Sequence, residues 1–247
     1  MRLLAIETAT PAQGVALAED DRLLAELSYE AKGHRGGLLL PAVDQVLKKA
    51  GVAARDLDAV AVSVGPGSFT GLRVGLATAK GLALGTGARL VGVSTLEALA
   101  EGYAPRDGTV CALLDAYRGE VYMALFRRVG TGGEGSALER LSPDVVLAPE
   151  AVKAALADVE GSVHLIGNGA ARYRERLQAA LGERACVTDE GLCAVPSAVV
   201  VARLGFRQFA GGNKPDAEAA PIYLRRAEAE ENWEKGLLKS PLARVSR

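Results

Sequence analysis

Short apolar runs broken by polar turns open the chain: Leu3 to Ile6, Gly14 to Ala18 and Leu23 to Tyr29 read as three strands, with Glu19-Asp20-Asp21 turning between the last two. This predicts an antiparallel meander. The period then lengthens. Leu39, Val43, Val46, Leu47 and Ala50 recur at helical spacing with Gly51 as a stop, and Pro41 either kinks that helix or sits in its first turn. An apolar run from Leu57 to Val64 feeds GPGSFTGLRVGLATAKGLALG, Gly65 to Gly85, a glycine-rich turn and a helix with Ser68 or Thr70 as its cap. Leu90 to Val93 is a further strand and Leu96 to Ala100 a short helix. Strands now alternate with helices, so the sheet becomes mixed.

The pattern restarts near Pro105. Val110 to Leu114 and Val121 to Phe126 read as strands joined by Asp115-Ala116-Tyr117-Arg118-Gly119-Glu120, and Thr131 to Ser136 is a glycine-rich excursion. Pro149 to Leu156 predicts a helix, Val163 to Ile166 a strand opening into Gly167-Asn168-Gly169, and Ala171 to Leu181 and Ser197 to Phe209 two more helices, the last ended by Gly211-Gly212. This gives three parts: 1–104, 105–227 and a weakly periodic tail, 228–247.

In the helix after Gly65 the small residues Gly71, Gly75, Ala79 and Ala83 share one face, which a backbone or ligand can approach closely. That face either seats a second helix or lets its own helix pack tightly on the sheet beneath, and the turn before it could cradle a phosphate. Three polar segments that follow strands, around Thr8 and Thr10, Asp115, and Gly167 and Gly169, could touch a nucleotide, because an acidic strand end before a small hydroxyl-bearing turn is a common way to build phosphate and magnesium sites. The same residues serve equally as turn formers.

Composition narrows the chemistry. The chain has 247 residues, 49% of them hydrophobic, enough for one large domain or two lobes. A formal net charge of -1 gives no general drive toward nucleic acid or anionic membrane, so tight RNA binding by this chain alone is disfavoured. The three cysteines form no Cys-x-x-Cys pair, which argues against a disulfide framework or a zinc ribbon. With no cleavable leader and no membrane-length apolar run in view, a cytoplasmic protein is expected. Only His34 and His164 are imidazoles and no His-x-x-x-His pair exists, so a metal centre is not expected.

MRLLAIETAT, GHRGGLLLP, AVSVGPGSFTGLRVGLATAKGLALG, LVGVSTLEALA, LLDAYRGEVYMALF, IGNG and PIYLR, in that order from Met1 to about Arg225, resemble the TsaB (YeaZ) family of bacteria. The resemblance implies the actin-like, sugar kinase and Hsp70-type fold, with two ribonuclease-H-like lobes built on mixed sheets, the second reduced. It implies a noncatalytic role beside the metal-bearing transferase TsaD, with the ATPase TsaE, in forming N6-threonylcarbamoyladenosine at position 37 of tRNAs that read codons beginning with adenine. A separate synthase makes the threonylcarbamoyl-adenylate.

The catalytic relative resembles this chain through the glycine-rich helix and next strand, then carries paired metal-binding histidines. Those line up here with Thr95 and Leu99, and neither side chain replaces imidazole as a ligand. A metalloprotease is disfavoured for the same reason. A small-molecule kinase would need a catalytic aspartate near a transferable phosphate, for which Asp115 is the one evident strand-end candidate. Family likeness favours a partner interface, for heterodimer or homodimer, made from His34, Leu38, Ala42 and Gln45 on the first helix and Gly71, Gly75, Ala79 and Ala83 on the second. His34 is followed by Arg35-Gly36-Gly37, where the family carries a hydroxyl or acidic residue, and its role stays open, as does that of Trp233 in the tail. The isolated chain is expected to hold no cofactor tightly: ATP or ADP binds weakly or in a site shared with partners, and tRNA is met only through the complex.

Overall fold

In the computed structural model the chain is described over residues 1–20, 22–31, 37–103, 108–129, 137–188, 195–211 and 219–224. His34, Cys193, Trp233, the 131–136 excursion and the 228–247 tail lie outside the described residues.

The opening meander is β1 (Arg2–Glu7), β2 (Ala12–Glu19) and β3 (Arg22–Glu30), paired antiparallel in sequence. After α1 (Leu39–Ala50), strand β4 (Ala59–Gly65) pairs parallel with β1, and after α2 (Phe69–Thr86) strand β5 (Arg89–Ser94) pairs parallel with β4. The sheet therefore runs β3-β2-β1-β4-β5 and is mixed, as the apolar pattern predicts. Pro41 lies in the first turn of α1, where a missing N–H costs no helical bond, and Gly51 closes the helix in the left-handed conformation, its N–H donating to the carbonyls of Leu47 and Lys48.

A short helix, α3 (Thr95–Tyr103), leads to a second sheet made of β6 (Thr109–Asp115), β7 (Val121–Val129), β8 (Ala137–Arg140), β9 (Val145–Leu147), β10 (Val163–Ile166) and β11 (Ala185–Thr188). Its path is β11-β10-β6-β7-β8, with β9 also on β7. Read from the other edge this is the order of the first sheet, with β6 in the place of β1: antiparallel to β7, parallel to β10. Two such sheets make the actin-like, two-lobed α/β fold. The apolar pattern missed β8, β9 and β11, which are short or carry few buried side chains. The helix expected over Ala171 to Leu181 is two helices, α5 (Asn168–Arg172) and α6 (Arg174–Leu181), broken at Tyr173. The one expected from Pro149 is a 3-10 turn followed by α4 (Val152–Ala155).

Strand alternation sorts the first sheet into two unlike faces. Leu4, Ile6, Val15, Leu17, Val60 and Val62 point at α1 and α2. Ala5, Ala16, Ala59 and Ala61 point the other way, at α7 (Ala198–Ala210). Gly205 brings α7 down onto this alanine floor, where an added Cβ would lie 2.9 Å from that of Ala61. Residues 198–210, assigned by sequence position to the second part, thus pack on the first sheet. Ala219, Ile222 and Tyr223 do likewise: Ile222 N–H donates to Val64 O (2.7 Å), and Tyr223 OH accepts from Arg73 Nε (3.0 Å). A boundary near residue 105 divides the sheets but not the packing.

Helix α3 is the joint between lobes. Leu96, Leu99 and Ala100 enter the core of the second sheet, while Ala98 packs toward α7. The buried carboxylate of Glu101 takes Arg207 of α7 on one oxygen (2.7 Å) and Arg128 of β7 on the other (3.3 Å). A carboxylate shared by cations from both lobes holds their relative angle, since separating them would strand a buried charge.

Candidate functional site: a closed cleft and an open helical face

β1 and β6 each end in an acidic residue ahead of a hairpin turn, and by sequence either turn could touch a nucleotide or simply form the turn. In the first lobe the turn is closed. Glu7 is fully buried; its Oε1 accepts the Ala9 N–H (2.6 Å) and its Oε2 the Ser63 hydroxyl. The Thr8 hydroxyl donates to Gly71 O (2.9 Å), that of Thr10 to Ala12 O (2.9 Å), and Ser68 N–H donates to Ala9 O (2.7 Å). Thr8 and Thr10 are buried, so neither presents its hydroxyl to a cleft ligand. The entry of α2 covers this turn.

Burial without a cationic partner raises the Glu7 carboxyl from 4.5 to about 7, against the smaller opposing pull of its bonds from Ser63 and Ala9. The folded state therefore holds this proton more tightly than the unfolded chain. Its stabilising contribution is complete below the unfolded value and is lost as pH rises through the interval up to about 7. Relative to a Glu7→Gln variant, wild type should lose about 3 kcal/mol of stability between roughly pH 4 and pH 8. Denaturant midpoints across that range check this; parallel profiles for the two proteins would refute it.

In the second lobe Asp115 is already engaged. Its Oδ1 accepts the Tyr117 N–H (3.0 Å) and the Tyr173 hydroxyl (3.2 Å), and Oδ2 pairs with Arg172 (3.2 Å). Its N–H donates to Asn168 Oδ1 (2.9 Å), tying the turn after β6 to the start of α5. Gly167 and Gly169 make that approach: an added Cβ would fall 2.2 Å from Leu113 O at Gly167 and 2.9 Å from Leu114 C at Gly169. Asp115, Gly167 and Gly169 thus come together as one locked turn, whereas Thr8 and Thr10 belong to the other sheet. An aspartate with three partners suits architecture better than proton transfer.

The small face of α2 has the opposite orientation to the one a docking surface requires. Gly71, Gly75 and Ala79 are buried, and Ala83 packs on the α1-side core. An added Cβ would lie 2.1 Å from Thr8 O at Gly71 and 2.1 Å from Thr8 Oγ1 at Gly75. Gly71 and Gly75 seat α2 on the turn after β1, and Ala79 and Ala83 face the apolar core, so the expectation that these four meet a partner is corrected. Ala42 is corrected with them, because it lies inside with Leu39, Val43, Val46 and Leu47. Leu38 and Gln45 do face outward.

What α2 shows to solvent is Thr70, Arg73, Ala77, Lys80, Gly81, Leu84 and Gly85, with Leu84 88% exposed. Beside it α1 exposes Leu40 (58%), and Leu38 just ahead of the helix is exposed as well (47%). Both helices cover the same side of one sheet and return from its parallel strands in the same sense. At the head of α2, Arg73 lies 3.8 Å over the Phe69 ring, and Tyr223 packs on Phe69 (4.9 Å between centroids). Sequence reading missed this surface: Ala77, Gly81 and Gly85 form a second small stripe, and periodicity does not say which stripe meets the sheet.

Comparison with known proteins places this architecture. Residues 30–233 match the family described as TsaD: tRNA N6-adenosine threonylcarbamoyltransferase. The tRNA threonylcarbamoyladenosine biosynthesis protein TsaB of Escherichia coli is 36% identical over 242 residues, 95% of this chain and 98% of that protein. Its Bacillus subtilis counterpart is 30% identical over 94% of this chain and 98% of that protein. The chain belongs to the TsaB family. The solved structure of YeaZ from Pseudomonas aeruginosa superposes with a TM-score of 0.74 at 30% identity, covering 90% of this chain and 99% of that one.

The likeness of this TsaB chain to a TsaD transferase itself is partial. The enzyme of Nitratidesulfovibrio vulgaris strain DP4 is 43% identical over 113 residues, 40% of this chain and 31% of that protein. Thr95 and Leu99 are both fully buried, and Leu99 is a member of the second lobe's apolar core. A hydroxyl and a leucine in that setting do not fit a transition metal. Among the described residues no group of three or more His, Cys, Asp or Glu side chains could hold a metal ion. His164 instead bonds through Nδ1 to the Tyr103 hydroxyl (2.9 Å). No described helix is long and apolar enough to cross a membrane.

Proposed function

We propose that this chain is the noncatalytic partner of the TsaD transferase in forming N6-threonylcarbamoyladenosine at position 37 of tRNAs reading codons that begin with adenine. The observation that carries this reading is the burial of Thr95 and Leu99, the positions that the family resemblance sets against the transferase's histidines. Two others support it: the turn after β1 is occupied by the entry of α2, and Glu101 ties the lobes to each other. A kinase cleft must admit phosphates at that turn and close around them. A partner subunit needs only a shaped exterior.

The outward faces of α1 and α2 are the docking surface in this reading, and the same faces serve a homodimer when TsaD is absent. TsaE joins the assembly, any firm ATP site is shared with partners, tRNA is reached through the complex, and the setting is the cytoplasm. A reconstituted reaction tests the assignment. With synthase, TsaE, ATP, threonine, bicarbonate and tRNA, omission of either TsaD or this chain should abolish the modified nucleoside. Robust modification by this chain and the synthase without TsaD would overturn it.

A further inference from the structure

The end of the first sheet opposite Glu7 holds an open surface depression of about 380 Å³, lined by Met1, Asp20, Arg89, Phe206, Phe209 and Ala210. Charges around it are nearly all matched. Glu19 pairs with Arg2 (2.9 Å) and Arg22 (3.5 Å), Asp20 with the Met1 ammonium (2.7 Å), and Asp58 accepts the Arg2 N–H (2.6 Å). Of the described cations here, Arg89 is the one without a carboxylate partner. Its guanidinium lies 4.4 Å over the Phe209 ring and spends one N–H on the Met1 thioether (2.9 Å), a weak acceptor. No carboxylate among the described residues pairs with it. Phe206, Phe209 and Met1 pack against the alanine-rich core, which gives the depression an apolar wall facing this cation.

From this geometry we infer a binding site for a small organic anion: a carboxylate borne on an aromatic or branched apolar body. The apolar part lies against the two phenylalanine rings and the carboxylate takes the unused guanidinium N–H groups, for which a planar two-oxygen acceptor is the matching shape. The depression is open to solvent, so its volume of about 380 Å³ suits a small ligand held on one side and bound weakly. It is on the α7 side of the sheet, away from the α1 and α2 faces, so this inference stands independently of partner binding.

Calorimetric titration of the full chain with 3-phenylpropionate, and with its uncharged amide, tests it. The acid should bind saturably with a Kd on the order of 1 to 10 mM, as expected for a ligand of this size. The amide should bind about five-fold more weakly, the upper end for an exposed ion pair. Arg89→Gln should bring the acid down to the amide's affinity without changing the amide, and Phe209→Ala should weaken both. An arginine that serves only the C-terminal end of α7 predicts equal binding of acid and amide. That result, an unchanged affinity in Arg89→Gln, or no saturable binding of the acid to wild type would overturn the proposal.

Discussion

Gly75→Ala should destabilise the protein sharply, and Thr8→Ala should reverse most of that loss. The added methyl would stand 2.1 Å from Thr8 Oγ1, whereas the remaining Thr8 atoms near it are at 3.3 and 3.4 Å. The hydroxyl is therefore the main clash. Moving it breaks the bond it donates to Gly71 O and shifts the turn after β1, where Glu7, Ala9 and Ser68 are all hydrogen-bonded. Overpacking of this kind costs about 3 kcal/mol, which for a chain of this length lowers the melting temperature by roughly 6 to 12 °C. Thr8→Ala alone should cost about 1 kcal/mol for its buried hydrogen bond. The double variant should melt well above Gly75→Ala alone, a coupling of opposite sign to simple additivity. Gly71→Ala offers the contrast, because its methyl meets the Thr8 backbone oxygen at 2.1 Å and no side-chain change removes that atom. Melting curves of the four proteins check this; additive losses at Thr8 and Gly75 would show that the two do not meet.

That contact marks where sequence reading stops. The period of Gly71, Gly75, Ala79 and Ala83 placed them on one face, and the face exists. Direction was not legible, because small residues suit close approach by a foreign helix and by the chain's own turn equally well, and Ala77, Gly81 and Gly85 form a rival stripe on the same helix. The meander, the mixed first sheet and the α1 stripe could be read because large apolar side chains recur there at the strand or helix period. Strand β11 could not, since its residues are half-buried or exposed and leave no alternation. Helix α7 was recognised as a helix, but its return to the first sheet depends on Gly205 meeting Ala61 and Leu3 across a large sequence separation. Asp115 was located correctly at a strand end. What it does there is set by Arg172 and Tyr173, which no local pattern connects to it.

The outward face of α2 carries the other large expected effect. Ala77 is exposed midway along the helix, between Arg73 and Lys80 and two turns before the exposed Leu84. Ala77→Glu places a carboxylate on that face with no change inside, so surface rules predict a stability change within about 0.5 kcal/mol. If TsaD packs on this face, the carboxylate is stripped of water against a partner helix, and affinity should fall about 100-fold or more. Leu84→Ala should weaken the same complex less, through lost apolar area alone. Titration of this organism's TsaD with wild type and Ala77→Glu, each with its melting temperature recorded, is the direct measurement. A large loss of TsaD affinity at an unchanged melting temperature is the predicted result; an Ala77→Glu protein that binds TsaD as tightly as wild type would contradict a docking role for the outer face of α2.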